Sequence, residues 1–165
     1  MEKRILSLLV DNTAGVLSRI SGLFSRRGYN IDSLTVGVTA DERYSRMTVV
    51  CSGDEMILEQ ITKQLAKLVD VHDIKVLQPE ESVSRELALV KVGARAEQRQ
   101  GIISVANIFR AKVIDVAKYS LVIEMTGTKS KLEAFIDLMG DYEILELART
   151  GVTGLSRGTK DVRYL

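Results

Sequence analysis

Residues 11–30, DNTAGVLSRISGLFSRRGYN, carry the residue types and spacing best suited to chemistry in this chain. A polar turn, Asp11-Asn12-Thr13, follows the apolar run of residues 5–10; Gly15 comes next, then a helical pattern, then Gly28 and Asn30. A strand that ends in a short polar turn and opens a helix can hold a small anion. The first-turn N–H groups have no intrahelical acceptor, and the helix dipole favours negative charge there. Pattern alone leaves two readings. In one, Asp11 or Thr13 caps the helix, Gly15 permits close packing and Asn30 only begins a strand. In the other, the turn receives the carboxylate of a free amino acid and the chain reports its presence to a partner.

Other chemistry is thin. The one histidine, His72, stands between Asp70 and Asp73, with no nucleophile in the local sequence for it to activate, and reads as a solvated or partly buried side chain. The one cysteine, Cys51, ends an apolar run and reads as a core thiol; alone it excludes an internal disulfide and a cysteine-rich metal site. No GxGxxG, GxxxxGK[ST] or HExxH motif occurs. Asp70 with Asp73, and Glu80 with Glu81, are carboxylate pairs of the kind that strand ends and linkers carry routinely. Residues 151–158, GVTGLSRG, have the glycines of a phosphate loop but open no apolar-periodic helix, so they read as a surface tail or partner-contact segment.

Beyond these positions, 165 residues suffice for two small domains, and a 45% apolar content predicts a buried core. Net charge is +1, and the halves are balanced: residues 1–77 hold 10 basic and 10 acidic side chains, residues 78–165 hold 13 and 12. Such a balance gives no basic footprint for nucleic acid or membrane. No run approaches the ~18 apolar residues of a membrane span, and the start MEKRILSLLV has no cleavable leader pattern. A cytoplasmic protein is expected.

The elements repeat. Residues 3–10 predict a strand; Val16, Leu17, Ile20, Leu23 and Phe24 form one helical stripe that Gly28 ends. Residues 29–39 and 44–51 predict a hairpin. Ser52 and Glu55 have capping-box spacing before the stripe Ile57, Leu58, Ile61, Leu65 and Leu68, and residues 69–77 close the set as a strand. The only proline, Pro79, marks a polar acidic linker. The same order then recurs: strand 85–94, helix 97–109, strands 112–117 and 120–127, a helix over 130–139 opened by Ser130 and Glu133, and strand 142–149. The expected fold is α+β: two ferredoxin-like βαββαβ domains in tandem, each with its helices on one face of a four-stranded antiparallel sheet. RNA-binding modules share this arrangement, but Met47, Val49, Val122 and Met125 stand where stacking rings would be needed. Strands this apolar should not leave the second sheet face in water, so either the halves cover each other or the chain pairs with a copy of itself, and a homodimer is expected.

The turn, with Arg27-Gly28-Tyr29-Asn30-Ile31 after it, resembles an ACT domain, the small effector-binding module of amino-acid metabolism. The phrases GLFSRRGYNIDSLTVG (22–37), SRMTVV (45–50), LEQITKQLAKLVDV (58–71), IFRAKVIDV (108–116) and ARTGVTGLSRG (148–158) resemble the small regulatory subunit of acetolactate synthase (acetohydroxyacid synthase) over essentially the full length. The resemblance implies an ACT domain at 1–78 for effector binding and dimerisation, a linker at 79–84, and a C-terminal ferredoxin-like regulatory domain at 85–165 with a polar tail at 150–165.

It further implies no catalytic residue and no bound cofactor or metal in this chain. Thiamine diphosphate and Mg²⁺ would belong to the large catalytic subunit, which condenses two pyruvates to 2-acetolactate and CO2. The small subunit would raise that activity and confer feedback inhibition by valine or a related branched-chain amino acid. Position by position, Asn12, Ala14, Gly15, Val16 and Leu17 of one chain would meet Asn30 and Ile31 of the other around the effector. Arg26 and Arg27 at the end of the first helix, with Asp70 beyond the second, read either as contacts to the partner or as ordinary solvated surface. The alternative function is a stand-alone ACT-type sensor controlling another enzyme or a transcription factor, although no helix-turn-helix is legible.

Overall fold

A computed structural model describes residues 1–159. The first six elements run β1 (Glu2–Asp11), α1 (Val16–Arg27), β2 (Asn30–Val38), β3 (Tyr44–Gly53), α2 (Glu55–Ala66) and β4 (Val71–Val76). After a single turn of 3-10 helix at Pro79–Glu81, the order recurs as β5 (Ser82–Gly93), α3 (Arg99–Ile108), β6 (Lys112–Val116), β7 (Ser120–Gly127), α4 (Lys129–Met139) and β8 (Ile144–Arg149), followed by β9 (Thr153–Ser156). The chain divides into two compact units, Met1–Ser84 with Val152–Leu165, and Arg85–Gly151. Among the described residues no helix is long and apolar enough to cross a membrane.

Each unit is the expected ferredoxin-like βαββαβ fold. The first sheet has the order β2-β3-β1-β4 and the second β6-β7-β5-β8, with antiparallel neighbours throughout. In the first unit the register pairs Leu6 with Val49 and Leu8 with Met47, so the alternate residues of β1 and β3 share one face. Val16, Ile20, Leu23 and Phe24 of α1 and Leu58, Ile61 and Leu65 of α2 close over that face. Each such fully buried side chain stabilises by about 1.5–3 kcal/mol relative to exposure, so the two helical stripes fix where α1 begins and ends. In the second unit Ile102 and Ala106 of α3 and Leu132, Phe135 and Met139 of α4 pack on Val90, Val92, Leu121 and Ile123 in the same way.

Three local expectations differ from the structure. Helix α2 is capped by Asp54, whose carboxylate accepts from the Ile57 N–H at 2.9 Å, and not by Ser52, because β3 runs on to Gly53. Helix α4 is capped by Thr128, accepting from the Lys131 N–H, and not by Ser130, which lies inside the helix. Of the polar segment 150–165, expected as a tail of the second domain, the described part turns back at Gly151 (φ 81), and residues 152–159 belong to the first unit. There β9 pairs with β5, and Gly154 lies against Leu77, Val83 and Ser84, where a Cβ would come within 2.9 Å of two side-chain atoms. The Gly154 N–H donates to the buried hydroxyl of Thr48 at 3.2 Å, satisfying a polar group on the helix-free face of the first sheet. The last part of the expected tail, residues 160–165, lies outside the described residues.

Candidate functional site

The turn between β1 and α1 is held from two sides. The Asp11 N–H donates to the Asp70 carbonyl at 2.9 Å, and the Asn12 N–H donates to the Arg43 carbonyl at 2.8 Å. The Asn12 side-chain amide donates to the Glu42 carbonyl, also at 2.8 Å. Gly15 then takes a left-handed conformation, φ 87 and ψ −9, and is itself the N-cap of α1. That geometry costs an L side chain about 1–2 kcal/mol and costs glycine nothing.

Because Gly15 occupies the cap, no side chain caps α1, and no acidic residue stands in its first turn. The capping role expected of Asp11 or Thr13 is therefore corrected. Both lie too far upstream of Val16, and the Asp11 carboxylate turns instead to His72 Nε2, at 2.5 Å. The lone histidine is thus engaged with the turn, its ring edge-on to Tyr44. The first-turn N–H groups of α1 are left with the positive end of the dipole and no internal anion. Val16 is buried beneath them while Leu17 is 48% exposed beside them, an apolar surface next to the donor cluster.

Arg19 stands one helical turn above Gly15. Its guanidinium grips Asp70 with both prongs, Nε to Oδ2 at 2.5 Å and Nη2 to Oδ1 at 3.1 Å. The hydrogen bond from Arg19 holds the Asp70 carboxyl below its ordinary range, and the same bond raises Arg19. Asp70, expected either as a partner contact or as solvated surface, is only 6% exposed and ties the start of β4 to α1 through Arg19. Arg26 and Arg27 are exposed in the last turn of α1, where they complement the negative end of the dipole, and Arg27 Nη2 donates to Gln64 at 3.2 Å.

At the other end of α1, Gly28 (φ 66) ends the helix and Asn30 begins β2. Asn30 is exposed and its amide nitrogen donates to Asp32 Oδ1 at 2.5 Å. Asp32 also accepts from Ser52 Oγ at 3.2 Å and pairs with Lys3 at 3.3 Å. The amide is thereby oriented, and among the described residues its oxygen remains available as an acceptor. Ile31 beside it is half-buried against the core. The twelve-residue helix α1 separates the Gly15 and Asn30 ends by about 18 Å at 1.5 Å per residue. One chain therefore presents a donor cluster and an acceptor that do not meet. Neither Arg19 nor Asp32 stood out in the sequence; for Arg19 the available signal was its place four residues after Gly15 on one helix face.

The second unit does not repeat these features. The pairings Glu2 with Gly53 and Glu86 with Gly127 set its turn after β5 in the place of the first turn. There Gln98 is the cap position, in right-handed helical conformation, and its side-chain oxygen takes the Arg95 N–H at 3.0 Å. Arg99 fills the space beside it and donates to the carbonyls of Ala117 and Lys118. Lys112, a cation, heads β6 where the acceptor Asn30 heads β2. Elsewhere, burial pushes the Cys51 thiol up to about 11, as befits an unreactive core thiol.

This fold, with its glycine turn opening α1, is that of an ACT-type domain: residues 6–73 match the family described as an AHAS small subunit-like ACT domain. Residues 85–158 match the family described as the small subunit of acetolactate synthase. The chain belongs to the acetolactate synthase small-subunit family. It is 54% identical over 159 residues to the acetolactate synthase small subunit of Mycolicibacterium smegmatis, covering 95% of this chain and 92% of that one. It is 51% identical over 158 residues to a probable acetolactate synthase small subunit of Archaeoglobus fulgidus, covering 96% and 99%. The crystal structure of the acetolactate synthase small subunit from Thermotoga maritima superposes with a TM-score of 0.89 at 41% identity, covering 96% of this chain and 99% of that one.

Proposed function

We propose that this chain is a non-catalytic regulatory subunit that assembles with the catalytic subunit of acetolactate synthase in branched-chain amino-acid biosynthesis. The partner supplies thiamine diphosphate and Mg²⁺ and carries out the condensation of two pyruvates to 2-acetolactate and CO2. This chain raises that activity and makes it sensitive to a branched-chain amino acid, valine or a near relative. The observation that carries the effector reading is the uncapped start of α1 at Gly15, an open donor cluster in a chain of this family.

The effector's carboxylate meets the first-turn N–H groups around Asn12, Ala14, Gly15, Val16 and Leu17. Its ammonium meets the oxygen of Asn30, and its side chain rests on Leu17 and Ile31. Since α1 holds the two ends about 18 Å apart, the site is built by a homodimer, the turn from one chain and Asn30 with Ile31 from its partner. Binding then biases the dimer's relation to the catalytic subunit. Feedback requires only that the effector prefer the restrained assembly.

Purified catalytic subunit, assayed for 2-acetolactate with and without this chain, tests the reading. The expected result is co-elution, a rise in activity on mixing, and valine inhibition only of the mixture. No change in activity on mixing would refute it, as would formation of 2-acetolactate by this chain alone.

A further inference from the structure

The Arg19 guanidinium has a place in the effector reading that the turn alone does not provide. Long side chains on a helix lean toward its N-terminus, so a residue four positions after Gly15 returns over it. Arg19 does so: a Cβ built on Gly15 would lie 3.0 Å from Arg19 Nη1. The two other prongs are committed, Nε and Nη2 to the carboxylate of Asp70. Among the described residues Nη1 has no acceptor, and it is the prong on the Gly15 side. Asp70 is itself fixed, buried, with its carbonyl accepting the Asp11 N–H at 2.9 Å. One residue thus anchors the strand side of the turn through its backbone and the helix side through its carboxylate.

We propose that Arg19 is a further effector-binding residue, its Nη1 donating to the carboxylate that the Gly15 turn receives, with Asp70 as the positioning residue that aims it. This rests on the effector reading above. Backbone N–H groups at a helix start attract any small anion; a guanidinium locked by a second carboxylate adds a full charge and a fixed direction. It makes the site selective for amino acids that carry a free carboxylate over their amides. It also links occupancy to the start of β4, because the effector and Asp70 draw on the same guanidinium.

The test is calorimetry on the full chain with two probes, valine and valinamide, which keeps the isopropyl group and the amine but lacks the carboxylate. In the wild type valine should bind well ahead of valinamide. Arg19→Gln should weaken valine about tenfold or more and leave valinamide unchanged, so that the preference shrinks. Arg19→Lys keeps the charge without the fork and should fall between them. Asp70→Asn should weaken valine several-fold in the wild-type background and add little on top of Arg19→Gln, as expected for residues acting as a unit.

Arg19→Gln and Arg19→Lys both binding valine at wild-type affinity would overturn the role of Arg19 while leaving the effector reading standing. Equal loss of valine and valinamide would overturn it too, because that marks a structural role. A wild-type chain that binds none of valine, leucine and isoleucine would overturn the effector reading itself, and this inference with it.

Discussion

Gly15 and Asn30 bracket the same helix. The twelve residues of α1 stand between them, and the two caps of that helix, Gly15 and Gly28, are both left-handed glycines. The donors at one end and the acceptor at the other therefore face different neighbours at a separation of about 18 Å. An amino acid whose carboxylate and ammonium share one carbon cannot touch both ends of one chain.

A carboxylate introduced at Gly15 would occupy the place of the effector's own. Gly15→Asp also strains a backbone at φ 87 and brings a Cβ to 3.0 Å from Arg19 Nη1, a crowded contact from which the end of the Arg19 side chain must shift slightly. The introduced carboxylate then pairs with Arg19 and the first-turn donors, a built-in occupant. Feedback inhibition of the assembled enzyme should be lost with activation retained. Dose–response curves for valine on the mixture check this, and wild-type sensitivity in the variant would refute it.

Asn30→Ala removes the acceptor but leaves the turn intact. Loss of a charged hydrogen bond to the effector's ammonium should weaken binding by about 1–3 kcal/mol. The apo protein should be little affected, since Asn30 is exposed and its partner Asp32 keeps Ser52 and Lys3. Calorimetry with valine and a thermal melt without it separate the two effects.

Cys51 supplies a pH prediction. Burial raises its thiol to about 11, above the ordinary value near 8.5 that the unfolded chain would show. A raised value stabilises the fold fully below the unfolded value, and the contribution is lost as pH rises through the folded one. Wild type should therefore lose stability between about pH 9 and 11 relative to Cys51→Ala, whose core defect is independent of pH. Thermal midpoints of the two proteins across that range should converge as pH rises; parallel curves would contradict the burial of the thiol. At pH 8 the native thiol should react with disulfide reagents only on unfolding.

Much of this architecture was legible because it is written in short-range periodicity. Val16, Ile20, Leu23 and Phe24 recur on one helix face, Gly28 stops the helix, and the alternation in β3 puts Met47, Val49 and Cys51 inward. Cap identities were less legible, since Ser52 with Glu55 and Ser130 with Glu133 fit the pattern as well as Asp54 and Thr128, and strand length decided between them. Leu17 belonged to the apolar stripe by spacing yet is exposed, while Val16 in the same first turn is buried, so the core-facing side of α1 is narrower than the apolar stripe. The Arg19–Asp70 pair spans 51 positions, and the return of β9 to the first unit brings Gly154 to Thr48 across 106. Such long-range pairings leave no local trace, and of the two it is the Arg19–Asp70 pair that shapes the turn.

That two chains build one site is tested most directly by co-expressing Gly15→Asp chains and Asn30→Ala chains under different affinity tags and isolating the mixed dimer. In that dimer one site combines both defects, while the other pairs an intact Gly15 turn with an intact Asn30. Calorimetry with valine should return one site of wild-type affinity per mixed dimer, against none in either parent dimer at the same concentration. A mixed dimer that binds no better than its parents would place the site within a single chain and contradict a shared site.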